Sequence, residues 1–310
     1  RDPEAEGDPG LAGEAHTWAA EFSDFDEAAR SSHARAAVSL LERATPPDEA
    51  RLAAALKALA ESELVLGRGL PRDVVERAVA LQADRLPYRV SDRVGVALGW
   101  WLVWTDELAE ARERLEAGHA TAIVEGDESS MPQIAGWLRE LELRAGRLPQ
   151  AREYALAQLE AAEQLGEALW VAVAKARLAL VDAHLGLADE SRRYAQDALE
   201  VAEEGGDAGL ALLCEWALGS LELSLGNVAE AARWLTRADA THERIGLVEP
   251  GYARFHADLI EALVAVGQLD EAEAHLREYE RRATLTARRS ALGGAARCRA
   301  LLLGARGAGE

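Results

Sequence analysis

Many side chains in this sequence are able to do chemistry, but their spacing does not assemble them. Seven histidines occur and none stands four residues from another, so no helix would offer two imidazoles to one metal ion. HExxH is absent, and neither Cys214 nor Cys298 belongs to a CxxC pair. Paired carboxylates such as Glu140 with Glu142, or Asp24 with Asp26, are the candidates for general acid and base. On a helix a spacing of two turns such carboxylates apart, and 54 acidic residues generate these pairs by composition alone. No GxSxG elbow, DDxxD run or GxxxxGK[ST] phosphate cradle is present. The expectation is a non-enzymatic chain with no catalytic residue, no cofactor and no metal.

The elements that must position any binding group follow from a repeat. Gly146, Gly186 and Gly226 are spaced by 40 residues, Gly267 follows after one insertion, and Asp106 holds the same place upstream. Five residues after the glycines stand Ala151, Ser191, Ala231 and Ala272, and eight before the five places stand Leu98, Leu138, Leu178, Leu218 and Leu259. A second series, Gly126, Gly166, Gly206 and Gly246, falls midway. A period of this size held over successive units marks a repeat architecture.

Each glycine divides one apolar-periodic run from the next, where a helix end needs positive φ. Leu218, Leu221 and Leu225 form a stripe before Gly226, and Ala231, Leu235 and Ala238 form another after it. Each unit is therefore a helical hairpin that must stack on its neighbours to bury both stripes. The predicted fold is all-α, a right-handed α-solenoid of antiparallel hairpins of about 40 residues. Burying each recurrent leucine is worth roughly 1.5 to 3 kcal/mol, enough to decide whether a unit stays docked.

Residues 1–10 read as a flexible leader, 11–304 as one solenoid and 305–310 as a tail. Within the solenoid, 11–90 forms irregular hairpins, 91–285 regular repeats and 286–304 a terminal helix. The irregular part reads as helices from about Leu11, over Phe25–Ala44, from Asp48 to Leu66 and from Asp73 to about Leu86. First helices are expected at 91–104, 130–145, 167–185, 208–225, 249–266 and 287–303, and second helices at 107–124, 148–165, 188–204, 228–245 and 269–284. Pro132, Pro149 and Pro250 suit first helical turns, and Asp127 and Asp207 suit caps.

First helices of such arrays line the concave surface. The places ten, six, three and two before each turn collect Trp100, Trp104, Glu140, Arg144, His184, Trp216 and Glu261. Tryptophans with a few ionisable groups on one inner wall have the character of a ligand or partner site, although tryptophan at helical spacing also serves as core. The net charge of −20, with Lys57 and Lys175 the only lysines, argues against direct nucleic-acid binding. The exception is the stretch holding Arg277, Arg281, Arg282, Arg288, Arg289, Arg297, Arg299 and Arg306, read as pairing with acidic faces of adjacent units or as facing an acidic neighbour. No apolar run reaches the ~18 residues of a membrane span, and two distant cysteines fit a cytoplasmic setting. A first residue of Arg1 suggests an excised or processed piece of a longer protein.

The patterns GNVAEA from Gly226 and GQLDEA from Gly267, with Leu218 and Gly219 before them, resemble the inter-helix turn of a tetratricopeptide repeat. The 40-residue pitch, with second helices ending in AAEQLGE or VAEEGGD, is more similar to the solenoid of the large ATP-binding LuxR-type bacterial transcription regulators, relatives of the maltose regulator. That resemblance covers residues 91–285 well and the first 90 loosely. It implies a sensory and oligomerisation segment between nucleotide-binding and DNA-binding modules. Its partner would be a protein or a small-molecule effector on the concave face, with homo-oligomerisation possible in the full-length protein. A constitutive protein-interaction scaffold is the alternative.

Overall fold

The computed structural model describes residues 8–22, 26–82 and 86–307. Residues 1–7 of the leader, Asp24 of the second acid pair, residues 83–85 and residues 308–310 lie outside them. The described residues form fifteen α-helices and no strand. They are α1 (Pro9–Phe22), α2 (Glu27–Leu41), α3 (Glu49–Val65), α4 (Arg72–Gln82), α5 (Val94–Trp104), α6 (Leu108–Glu125), α7 (Met131–Arg144) and α8 (Leu148–Leu165). There follow α9 (Ala168–Leu185), α10 (Ala188–Gly205), α11 (Ala208–Ser224), α12 (Val228–Ile245), α13 (His256–Ala265), α14 (Leu269–Thr286) and α15 (Arg289–Gly307).

Sequential helices pair as hairpins, and each odd-numbered helix also packs on the next odd-numbered one, from α1 through to α15. The chain is thus an α-solenoid whose inner layer is the odd helices. Gly146, Gly186, Gly226 and Gly267 all adopt left-handed φ at the turns, as the spacing requires. Leu138, Leu178, Leu218 and Leu259 are at most 2% exposed. Close helix approach shows at Gly219, where an added Cβ would stand 2.5 Å from Leu235 Cγ of α12.

A ladder of ion pairs runs along the same register. Arg112 pairs with Glu142, Arg152 with Asp182 at 2.7 Å and Arg192 with Glu222 at 2.6 Å, each bridging 30 residues from one hairpin to the next. The three acids are buried. Glu142 also takes Arg147, so one member of the first acid pair is a structural strut. The C-terminal arginines are likewise used by neighbours: Arg282 reaches Glu243 and Glu278, Arg297 reaches Glu261, Arg299 reaches Glu273 and Glu280, and Arg306 reaches Glu273 and Asp270.

Four boundaries differ from expectation: α2 ends at Leu41 rather than Ala44, α5 begins at Val94 after a short 3-10 turn, α15 runs to Gly307 into the expected tail, and the largest shift is at α13. Pro250 lies in the connection between α12 and α13, and α13 begins only at His256. The residues between turn inward and are held by contacts far along the chain. Asp207 caps α11 through Leu210 N at 2.9 Å. Asp127 accepts from Ser130 N, but also from Val90 N at 2.7 Å and Ser129 Oγ at 2.6 Å, which ties the α4–α5 connection to the start of α7.

These donors outweigh the burial that would raise it and hold the Asp127 carboxyl at about 2, below its ordinary 3.8. Because the folded value is the lower one, its stabilisation is complete above pH 3.8 and is lost as pH falls through about 2. Asp127→Asn should therefore cost on the order of 2 kcal/mol near pH 6. In urea unfolding the gap between variant and parent should narrow below pH 3.8; a gap constant with pH would contradict the assignment.

Candidate ligand-binding channel

The N-terminal part of the inner layer borders a channel-like cavity of about 680 Å³, walled by Trp18 of α1, Arg30 of α2, Lys57 and Glu61 of α3, Arg89 before α5, Gln133 of α7 and Trp170 of α9. That volume lies within the usual range of ligand pockets, and two aromatic rings among charges of both signs give it mixed character. Lys57 and Asp92 stand 3.7 Å apart on its rim, while Arg30 is occupied by Glu27 and by the carbonyl of Ala20 at 2.7 Å.

Past the cavity, at the C-terminal end of α3, the chain crosses back on itself. The amides of Val248 and Glu249 both donate to the carbonyl of Val65 at the end of α3, each at 3.0 Å. Gly251 lies so close to the end of α5 that an added Cβ would stand 2.0 Å from the Trp104 carbonyl oxygen. Glu249 is fully buried, with Arg288 against it at 2.7 Å, and burial pushes its carboxyl up despite that partner. Tyr252 packs edge-on to Trp104 at 5.0 Å, keeps 37% of its surface accessible, and feels the charges of Arg177, Glu27, Glu61 and Arg30.

Asp106 anchors this closure. It holds the turn place that glycine takes in the later units and adopts φ 66°, a conformation Asp tolerates better than most residues. Its carboxylate receives Arg254 at 2.5 Å and the amide of Ser290 at 2.9 Å, the first joining the α5–α6 turn to the α12–α13 segment and the second to α15. The departure from glycine at this position thus has a structural reason.

The seven expected wall residues fall into two groups. Trp100 stacks on Trp137 with centroids 6.0 Å apart and meets Trp104 edge-on at 5.0 Å. Arg144 binds Glu140 at 2.6 Å and donates to the carbonyl of Val103 at 2.9 Å. These four, Trp100, Trp104, Glu140 and Arg144, meet at the Tyr252 end. His184 is exposed, with Nδ1 at 2.8 Å from the Leu180 carbonyl, and Glu261 pairs with Arg297. Trp216 is 6% exposed and belongs to the core, as does Trp104 at 1%, the Glu140 and Arg144 side chains are buried against each other, and none of the seven lines the cavity. Sequence reasoning missed Arg177, Trp170 and Tyr252: the first two sit at places not counted as inward, and Tyr252 lies where the 40-residue spacing slips.

Titratable groups elsewhere are structural. His242 and His256 meet edge-on at 4.9 Å, His256 stacks on Tyr279 at 5.3 Å, and burial lowers both imidazoles. Burial raises the thiols of Cys214 and Cys298 to about 12 and about 11. Among the described residues no group of three or more His, Cys, Asp or Glu is placed to hold a metal ion, and no helix is long and apolar enough to cross a membrane.

No protein-family model matches the sequence, and no curated protein matches it. Solved structures do. A Rap protein complexed with competence and sporulation factor superposes with TM-score 0.65 over 95% of this chain and 87% of that one, at 13% identity. A signal transduction ATPase with numerous domains, bearing a tetratricopeptide repeat sensor and from Pyrococcus horikoshii, gives 0.54 over 86% of this chain at 17% identity, and the match spans 40% of that protein. Aspartyl phosphate phosphatase F from Bacillus subtilis gives 0.51 over 95% and 79% at 13% identity. The shared property is the fold, a tetratricopeptide-like helical-repeat solenoid.

Asp106→Gly separates backbone from closure. The turn loses its left-handed strain, worth about 1 kcal/mol, while the anchor for Arg254 and Ser290 disappears. Global unfolding should shift by less than about 1 kcal/mol, whereas the amides of Val248 and Glu249 should exchange with solvent markedly faster. Unchanged exchange at those two amides would show that Asp106 is not the anchor.

Proposed function

We propose that this chain is a non-enzymatic binding module that takes an effector or a partner segment in its channel and reports occupancy through the curvature of the solenoid. The observation that carries this reading is the cavity of about 680 Å³, walled by residues of α1, α2, α3, α7 and α9. A ligand touching several of these helices would bind closed and relaxed superhelices differently, and only such a difference shifts an equilibrium. Against catalysis stands the use of the acids: Glu140 is held ionised by Arg144 and Arg139, and Glu142 lies between Arg112 and Arg147.

The finer reading is a sensory segment of a bacterial transcription regulator of the LuxR type. It is supported by the 40-residue repeat and, at the level of fold, by likeness to the repeat sensor of a signal transduction ATPase and to a Rap protein solved with a signalling factor. A scaffold that holds a protein segment at fixed curvature is the second reading, favoured by the polar closure around Asp106 and Glu249.

A thermal-shift screen of small metabolites and short peptides, followed by small-angle scattering of any hit, separates them. Binding should raise the melting temperature, change the radius of gyration, and lose at least about tenfold in affinity in a Trp170→Ala variant. A ligand that binds without changing the radius of gyration would leave the scaffold. A flat screen in both libraries would remove the channel as a site.

A further inference from the structure

Five charged side chains line the cavity at the N-terminal part of the inner layer: Arg30, Lys57, Glu61, Arg89 and Asp92. Four of them are already engaged. Arg30 donates to Glu27 at 2.8 Å and to the carbonyl of Ala20 at 2.7 Å. Lys57 lies 3.7 Å from Asp92, and Arg89 donates to the carbonyl of Ser129 at 3.2 Å, while its Nε is buried out of a ligand's reach. Glu61 differs. Its half-buried carboxylate makes no hydrogen bond or ion pair with any described residue. Lys57 stands four residues before it on α3, a spacing that permits an ion pair across one helical turn, yet Lys57 turns to Asp92.

The rest of the lining suits an elongated apolar body. On α3, Ala50, Ala54 and Ala58 stand at intervals of four on the wall that also carries Lys57 and Glu61, so small side chains leave that face open. From Ala50 to Glu61 the wall extends about 16 Å by helical rise, and Glu61 ends it. Trp18 of α1, which is exposed, and Trp170 of α9, which is half-buried, bring two indole rings to the same cavity. An indole face attracts a cation as well as an apolar chain. The field of the whole molecule has the same bias: with a net charge of −20 it draws cations in and repels anions.

We propose that the cavity takes an elongated apolar ligand bearing one cationic amine, whose ammonium pairs with Glu61 while its body lies along the alanines of α3 and against Trp18 and Trp170. This rests on the cavity being the binding site. An ammonium and a carboxylate make charge-assisted hydrogen bonds, and a partly enclosed wall strengthens the pair relative to water. An anion finds no such opening. It would have to displace Glu27 from Arg30 or Asp92 from Lys57, and it would stand beside an uncompensated Glu61. A neutral ligand would cover Glu61 without giving it a partner, which is unfavourable for a charge withdrawn from water. A second cationic group on the ligand would meet Lys57 or Arg30, so one amine is selected over two.

The test is isothermal titration of the full chain with phenylbutylamine, phenylbutanol and phenylbutyrate, and with a capped hexapeptide holding one lysine or acetyl-lysine in its place. The amine should bind at least about tenfold more tightly than the alcohol, and phenylbutyrate more weakly still. Glu61→Gln should lose at least about tenfold for the cation and leave the alcohol unchanged, and Glu61→Asp should recover part of the loss. Since Glu61 supports no contact in the free protein, the melting temperature of unliganded Glu61→Gln should match the parent, which separates lost binding from lost fold. Tighter binding of phenylbutylamine than of the lysine peptide assigns a small amine, and the reverse order assigns a basic side chain of a partner segment. Equal binding of amine and alcohol, tighter binding of phenylbutyrate, unchanged affinity for the amine in Glu61→Gln, or no binding of either cation would overturn the assignment. A hit from the wider screen that Trp170→Ala weakens and Glu61→Gln does not would leave the cavity a site without this cation subsite; a flat screen as well would mean that both readings fail.

Discussion

The contacts of the α12–α13 segment with α3 and with the α5–α6 turn are the constraint on which the shape of this molecule depends. A solenoid built only from neighbour contacts has no fixed curvature, since each interface tolerates a small rotation and the rotations accumulate. Here residues more than 140 positions apart are bonded: Val65 to Val248, Asp106 to Arg254, Asp106 to Ser290. The ends of the array are thereby related to each other directly. The buried Glu249–Arg288 pair adds little net stability, because desolvating two charges offsets most of their attraction. What it supplies is selectivity for one arrangement, since any other would leave Glu249 buried without a cation.

Charge has two separate uses in this chain. Between hairpins, arginines of one second helix take buried acids of the following first helix, as in Arg152 with Asp182 and Arg192 with Glu222, and each hairpin is fixed to its successor. Around Glu140 and Asp106 the balance reverses, and Arg139, Arg144 and Arg254 share two carboxylates. Strands of like charge are unfavourable in a partly dry interior unless something compensates them. The cost is borne here by Glu140, pulled well below the ordinary carboxylate range by Arg144 and Arg139 on either side.

Much of the fold was legible because it repeats. The left-handed turns at Gly146, Gly186 and Gly226 and the buried leucines eight residues before them follow from local chemistry recurring at one interval. Helix limits followed within a few residues; the largest departure is at α13, where Pro250 has the local properties of a first turn but lies in a segment drawn inward by contacts with Val65 and Trp104. No nearby residue encodes that attraction. The cavity itself was not legible: none of the seven residues reached by counting inward places lines it, and Glu140 and Arg144 are instead buried in an ion pair with each other. Two signals were present and unread. Arg139 stands in a column of small residues, and the Arg152–Asp182 type of pair recurs at a constant offset.

The closure also limits what kind of ligand can act as a signal. Moving a two-state equilibrium from almost wholly closed to almost wholly relaxed requires a difference in binding of about 5.5 kcal/mol between the states. On the proposed reading that difference has to bear on the bonds that join distant hairpins, Val65 to Val248 and Asp106 to Arg254. Trp18 lies on α1, outside both bonds, whereas Lys57 shares α3 with Val65. A ligand that presses on α3 is therefore better placed to bias curvature than one held by α1 alone.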